Sequence, residues 1–162
     1  MSDGHEQPLL EPASLRTDTG ETLVLDVTDA FLYSLVAEAS DMDGQGHVNN
    51  AVYVRWMDRA AYAHSQAVGY DVARYRQLGT SFVVRRHEID YYSPAYAGDP
   101  IVVATWPCAM EKFTALRRHQ IIRPSDGRTL ARALTTWIYL DVRRNRPHRI
   151  PAEMIAAFRP RG

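Results

Sequence analysis

The sequence has a single cysteine, a single lysine and no long apolar run. Because Cys108 is the only cysteine among 162 residues, an intrachain disulfide is excluded. No run of 18 apolar residues is present, which argues against a membrane-spanning helix. The first residues have neither the basic start nor the apolar core of a signal peptide. These features predict a cytoplasmic protein without a membrane partner.

Net charge is also absent, although the charges are unevenly distributed. The chain has 19 basic and 19 acidic residues. Residues 1–50 contain ten acids and one base, whereas residues 112–162 contain twelve bases and three acids. A neutral chain with no stacking motif or recognition helix is not expected to bind nucleic acid. The basic half is either a solvated surface or a rim that binds a phosphate-bearing ligand.

The hydrophobic pattern predicts one domain with one long helix and a sheet. Residues 1–21 are polar and aperiodic, so we expect a disordered or loosely held extension before a single domain at residues 22–162. A helix is predicted from about residue 51 to 68. Strands are predicted at residues 33–39, 81–92, 100–106, 113–123 and 129–142, with Pro107 at a bulge or an end. Four strands separated by short turns exclude a doubly wound fold. They predict an α+β protein in which an antiparallel sheet wraps around a central helix.

The most informative stretch is DMDGQGHVNNAVYVRW at residues 41–56. Gly44 and Gly46 permit a bent loop, and either Asn49 or Asn50 is well placed to cap the helix that follows. The stretch therefore brings carboxylates and a histidine to a helix N-terminus, where unpaired N–H groups carry partial positive charge. A carboxylate there can attack a carbonyl carbon, or activate water to do so, while N–H groups stabilise the carbonyl oxygen.

This stretch resembles the active-site segment of the hotdog-fold acyl-CoA thioesterases of the 4-hydroxybenzoyl-CoA thioesterase-like group. The resemblance rests on the pattern D-x-D-x-x-G-H-V-N-N-x-x-Y, which runs from Asp41 to Tyr53. A weaker likeness extends from about Tyr33 to Phe158. It implies a hotdog fold, hydrolysis of acyl-CoA to acid and coenzyme A, and a homodimer or homotetramer whose active sites lie between subunits. No metal and no cofactor other than the coenzyme A of the substrate is implied.

The resemblance also implies roles for residues of the loop. Asp43 matches the acid that acts as nucleophile or general base, and Asp41 an acid that stabilises the loop. The backbone N–H near Asn50 would polarise the thioester carbonyl. His47 would orient Asp43 or a water molecule, or only form hydrogen bonds within the loop. Gly46 and Asn49 would shape the substrate site, and Tyr53 would line the acyl pocket or pack in the core.

Other interpretations of the same residues are weaker. Asp41, Asp43 and His47 lie on one loop without a partner cluster, so we do not expect a metal site. Arginines could hold the phosphates of coenzyme A, above all Arg143, Arg144 and Arg146 in a basic loop. The full set of such arginines comprises Arg85, Arg86, Arg117, Arg118, Arg143, Arg144, Arg146 and Arg149. Two alternatives stay open: a thioesterase acting on acyl-carrier protein, and a module that binds acyl thioesters without turnover.

Overall fold

A computed structural model of the chain describes residues 15–162, in one six-stranded sheet and three α-helices. The strands are β1 (Phe31–Val36), β2 (Thr80–Tyr91), β3 (Pro100–Glu111), β4 (Thr114–Arg123), β5 (Arg128–Asp141) and β6 (Arg146–Pro147). The helices are α1 (Asn50–Ala67), α2 (Val72–Leu78) and α3 (Ala152–Phe158). A short 3-10 turn at Ala39–Asp41 precedes α1.

The caps of helix α1 determine where it begins and ends, and its apolar face determines which side packs against the sheet. The side chain of Asn49 accepts a hydrogen bond from the Ala51 N–H at 2.9 Å, which decides between the two predicted caps. The helix ends before Gly69, which has a φ of +89°. Buried residues recur at the helical period and face the sheet: Val52, Tyr53, Trp56, Met57, Ala60 and Ala61. The opposite side, which includes Arg55, Asp58 and Arg59, is exposed in one subunit.

The sheet is antiparallel and has the order β1-β3-β4-β5-β2, with β6 paired to the end of β5. Its register shifts between Pro107 and Ala109, so the predicted bulge at Pro107 is confirmed, although β3 continues to Glu111. Within residues 15–162, β1 and β2 are edge strands. The main core lies between α1 and the sheet. The predicted α+β architecture, a sheet around a central helix, is therefore confirmed.

The segment before β1 is partly described. Arg16 and Thr22 form a β-bridge, and the Asp18 N–H donates to the Ser125 carbonyl at 3.2 Å. Residues 1–14 of the predicted extension lie outside the described residues, so the boundary at residue 22 stays a prediction. Among residues 15–162, no helix is long and apolar enough to cross a membrane.

Candidate active site

The loop before α1 is closed by its own hydrogen bonds. Met42 and Val48 form a β-bridge, and the Asp43 N–H donates to the His47 carbonyl at 2.7 Å. Gly46 has a φ of +79° where its N–H donates to the Asp43 carbonyl at 3.2 Å. A residue with a Cβ would be strained in this conformation. Glycine at this position therefore allows the tight turn that presents the Asp43 side chain.

The Asp43 carboxylate is held through one of its two oxygens. Its Oδ1 accepts from the N–H groups of Gln45 at 2.8 Å and His47 at 3.2 Å. Its Oδ2 accepts no hydrogen bond from residues 15–162, and the residue is half-buried. Because hydrogen bonds to Oδ1 fix the orientation of the group, Oδ2 is an oriented oxygen that is available to a ligand or a water molecule.

The neighbouring acid, Asp41, forms structural contacts only. Its Oδ2 accepts from the Glu38 N–H at 3.0 Å, and its Oδ1 pairs with Arg55 Nη2 at 2.9 Å. Its carbonyl accepts from the Asn49 N–H at 2.9 Å. These contacts join the 3-10 turn, the loop and α1, so the prediction that Asp41 stabilises the loop is confirmed.

The first turn of α1 has one free donor next to this loop. The Ala51 N–H is bound by the Asn49 side chain, and the Val52 N–H donates to the Asn49 carbonyl at 2.9 Å. The Asn50 N–H has no acceptor among residues 15–162, and Asn50 is exposed. A free N–H at the N-terminus of an 18-residue helix is a suitable site for a developing negative charge.

Tyrosines fix the helix start against the end of β2. The Tyr91 hydroxyl donates to the Asn50 carbonyl at 3.0 Å. The Tyr53 hydroxyl accepts from the Ala95 N–H at 3.1 Å, and its ring meets Tyr91 edge-on with centroids 5.2 Å apart. Burial raises the pKa of Tyr53 above its ordinary value. Since Tyr53 is only 2% exposed, its ring packs in the core in one subunit, and a role in acyl binding stays a prediction.

His47 contributes its backbone N–H to Asp43, while its ring lies elsewhere. The ring meets Tyr96 edge-on, with centroids 5.6 Å apart. Its nitrogens form no hydrogen bond with residues 15–162. That the imidazole orients Asp43 or a water molecule stays a prediction.

The basic loop lies at the opposite end of β2 from Asp43. The Val142 N–H donates to the Gly79 carbonyl at 3.0 Å, which places Arg143 and Arg144 beside the start of β2. The N–H of Arg144 binds Asp141 Oδ1 at 2.9 Å, and Arg146 is exposed in β6. The twelve residues of β2 span about 36 Å, so a single subunit does not bring these arginines to Asp43.

One arginine of the predicted phosphate-binding set is misplaced for that role. Arg117 is buried, with 7% exposure, and projects from β4 into the interior. A guanidinium there cannot hold a phosphate at the rim, so this part of the prediction is wrong. Alternation along the strand puts Arg117 on the same side as Ala115 and Ile121, both of which are buried. That alternation was the signal for an interior arginine.

Residues 37–158 match the thioesterase-like superfamily. Because this match covers most of the chain, the protein belongs to that superfamily. The acyl-CoA thioester hydrolase YbgC of Escherichia coli is 25% identical over 132 residues, which cover 82% of this chain and 98% of the relative.

Solved structures share the fold. The 1,4-dihydroxy-2-naphthoyl-CoA thioesterase of Synechocystis superposes with a TM-score of 0.73 at 18% identity, covering 80% of this chain and 95% of the other. A Thermus thermophilus thioesterase complexed with coenzyme A and zinc has a TM-score of 0.68 at 26% identity, covering 79% and 90%. The predicted hotdog fold and the predicted enzyme class, a thioesterase, are confirmed at the level of the superfamily.

Proposed function

We propose that the protein hydrolyses acyl-CoA to a free acid and coenzyme A. The observation that carries this proposal is an oriented Asp43 carboxylate on the loop that leads directly into α1, whose first N–H, that of Asn50, is free. The name of YbgC and the coenzyme A complex from Thermus thermophilus support coenzyme A, rather than carrier protein, as the acyl carrier. A binding module without turnover has no need of such a carboxylate.

The chemistry requires only groups of this chain. With Asp43 as general base, Oδ2 removes a proton from water, and the water oxygen attacks the thioester carbonyl carbon. The Asn50 N–H stabilises the oxyanion, and the carbon–sulfur bond then breaks to release coenzyme A thiolate, which takes up a proton. With Asp43 as nucleophile, Oδ2 attacks the carbon itself, the carbon–sulfur bond breaks to release coenzyme A thiolate, which takes up a proton, and water then hydrolyses the resulting mixed anhydride to the free acid and Asp43. We propose that neither route uses a resident cofactor or metal, so activity should persist after treatment with a chelator.

The site is completed by a second copy of the chain. Within residues 15–162 the only sheet neighbour of β2 is β5, and the exposed Val83 and Val84 of β2 form an apolar segment on this strand. An unpaired apolar edge favours pairing with another strand. A two-fold axis pairs β2 with its copy in the antiparallel direction, so the start of each β2 lies beside the end of the other.

Each basic loop then lies near Asp43 of the partner subunit, where Arg143, Arg144 and Arg146 can bind the phosphates of coenzyme A. A dimer of dimers retains the same site.

The test is Asp43→Asn, which keeps the shape of the side chain and removes its charge. We expect turnover of acyl-CoA to fall by roughly 100-fold or more, since the base or nucleophile is lost. Binding of a non-hydrolysable acyl-CoA analogue should survive. Asp18→Asn is the matched control, because Asp18 is exposed and its carboxylate has no partner among residues 15–162. Near-normal turnover in the Asp43 variant would refute the assignment and direct attention to His47.

A single-turnover reaction in ¹⁸O-labelled water separates the two routes. If Asp43 is the nucleophile and water opens the anhydride at the Asp43 carbonyl, the label enters this carboxylate, which is a result that the general-base route cannot give. If Asp43 is the base, the label appears only in the released acid.

A further inference from the structure

An apolar cavity lies between the second half of α1, α2 and the start of β2. It has a volume of about 680 Å³. Most of its lining is aromatic or aliphatic, including Tyr62, Val72, Phe82, Met110, Trp137 and Phe158. A cavity of this size and lining suits an organic acyl group. Its lining includes Thr80 and Arg143, so it lies at the end of β2 that the proposed dimer places next to Asp43 of the partner subunit.

The wall of this cavity contains a buried cation, Arg117. Its Nη1 donates to His64 Nδ1 and to Thr105 Oγ1, both at 3.1 Å. The guanidinium carbon lies 5.8 Å from the centre of the Phe158 ring. Burial lowers the pKa of His64 to about 3, so this imidazole is neutral and accepts through Nδ1. His64 therefore orients the guanidinium without neutralising it.

No carboxylate pairs with Arg117 among residues 15–162. Its Nε and Nη2 donate to no acceptor in this range, which leaves three of the five guanidinium donors unused. The only acid in the cavity lining, Asp58, is on the exposed side of α1. Trp137, another lining residue, also has a buried indole N–H without an acceptor in this range. Arg117 thus presents a positive charge and unused donors that no carboxylate within residues 15–162 compensates.

A buried guanidinium without a counter-ion is costly, because desolvation is not offset by an ion pair. Burial lowers the pKa of Arg117 to about 10, so the group is still charged at neutral pH. A planar carboxylate matches the free edge of a guanidinium through two parallel hydrogen bonds. A ligand that brings a carboxylate into the cavity would therefore supply both the missing charge and the missing acceptors.

We propose that the cavity binds the acyl part of the substrate and that Arg117 binds a carboxylate at its far end. The substrate class is then a dicarboxylic acid joined to coenzyme A through one of its two carboxyl groups. This inference rests on the proposed thioesterase function and specifies its substrate. Arg117 is a specificity residue here, since it contacts the end of the acyl group that does not react.

The test compares acyl-CoA pairs of equal chain length that differ in the terminal group. Adipoyl-CoA is compared with hexanoyl-CoA, and suberoyl-CoA with octanoyl-CoA. The monomethyl ester of adipoyl-CoA keeps the length and removes the charge. We expect kcat/KM to be roughly 30-fold or more higher for the carboxylated member of a pair, the scale of a buried charge pair. A wild-type enzyme that prefers the uncharged member at both lengths would overturn the inference.

Arg117→Met removes the charge and keeps an extended apolar side chain. We expect this variant to lose the preference for carboxylated substrates, so that the ratio of kcat/KM for adipoyl-CoA to that for hexanoyl-CoA falls by roughly 30-fold or more. Arg59→Met is the matched control, because Arg59 is exposed on α1 and has no ion pair among residues 15–162. An unchanged preference in the Arg117 variant would overturn the inference. If that variant does not fold, the wild-type comparison alone decides.

The failure of the proposed function gives a different result. An enzyme that hydrolyses hexanoyl-CoA but disfavours adipoyl-CoA would be a thioesterase without the carboxylate subsite. An enzyme that hydrolyses neither would contradict the proposed function. The subsite is then judged by thermal stabilisation, which should be larger with adipoyl-CoA than with hexanoyl-CoA. Equal stabilisation by the two would overturn it.

Discussion

Acid should destabilise this protein at pH values above those at which its carboxylates become protonated. The reason is a partly buried histidine that resists protonation in the folded protein. His64 stacks on Phe31, with ring centroids 5.0 Å apart, and meets Phe158 edge-on at 5.5 Å. Burial and then the charge of Arg117 lower the pKa of His64 from 6.5 to about 3. The unfolded chain therefore binds a proton below pH 6.5 that the folded chain does not, so stability falls as the pH falls through this value.

The size of the effect follows from the two pKa values of His64. The loss of unfolding free energy relative to neutral pH is about 1.4 kcal/mol at pH 5.5 and about 2.7 kcal/mol at pH 4.5. These are upper values, because solvent reaches part of the ring. His119 acts in the same direction, since burial holds its pKa well below the usual 6.5. Ion pairing also lowers the pKa of Asp126, but that contribution is lost near its ordinary value of 3.8.

The variant that isolates this effect is His64→Asn, whose amide oxygen can replace Nδ1 as the acceptor for Arg117. Urea unfolding at pH 7.5, 5.5 and 4.5, at one protein concentration, measures the stability. The variant will be less stable at pH 7.5, because ring stacking is lost. Its decline towards pH 4.5 should nevertheless be smaller than that of the wild type by about 2 kcal/mol. His148→Asn, at an exposed position, should keep the wild-type decline. An equal decline in His64→Asn and the wild type would show that His64 is protonated in the folded protein.

Further predictions concern the chain terminus, the assembly and the basic loop. Removal of residues 1–21 should leave hydrolysis unchanged, and a folded truncation that loses most activity would show that this segment helps to build the site. Light scattering should give a dimer or tetramer at micromolar concentration, whereas a stable monomer would contradict the two-subunit site. Neutralising Arg143, Arg144 and Arg146 together should raise KM for acyl-CoA but not for an acyl-pantetheine, and rising salt should have the same selective effect. Equal effects on both substrates would show that the loop does not bind the nucleotide.

The architecture was predictable because local patterns and tertiary contacts agree. The helix period from Val52 to Ala61 and the turn at residues 124–127 each specify one local structure, and burial then follows from the apolar face. The position of β2 at an edge of the sheet was less predictable, because the order of strands depends on contacts that are distant in sequence. The extent of β3 was also underestimated, since a bulge at Pro107 lets the strand continue where proline would otherwise end it.

The two parts of the candidate site differ in how local they are. The hydrogen bonds that orient Asp43 in its loop join residues at most four positions apart, and Gly46 and Asn49 each have a local backbone role, in the turn and in the helix cap. Such a loop can be identified from a single stretch of sequence. The cavity around Arg117 combines residues from Asp58 to Phe158, and His64 lies 53 positions away from its partner. No local pattern predicts that pairing.

Arg117 is nevertheless the residue that links the fold to a choice of substrate. In the same strand, Arg123 pairs with Asp99 and Asp126, so its charge is already compensated by the protein. Arg117 has only neutral partners, and most of the cavity beside it is lined by apolar side chains. If its role were only structural, a neutral residue would avoid the desolvation cost and fill the same space. The retained charge is therefore best explained by a ligand that carries the opposite one.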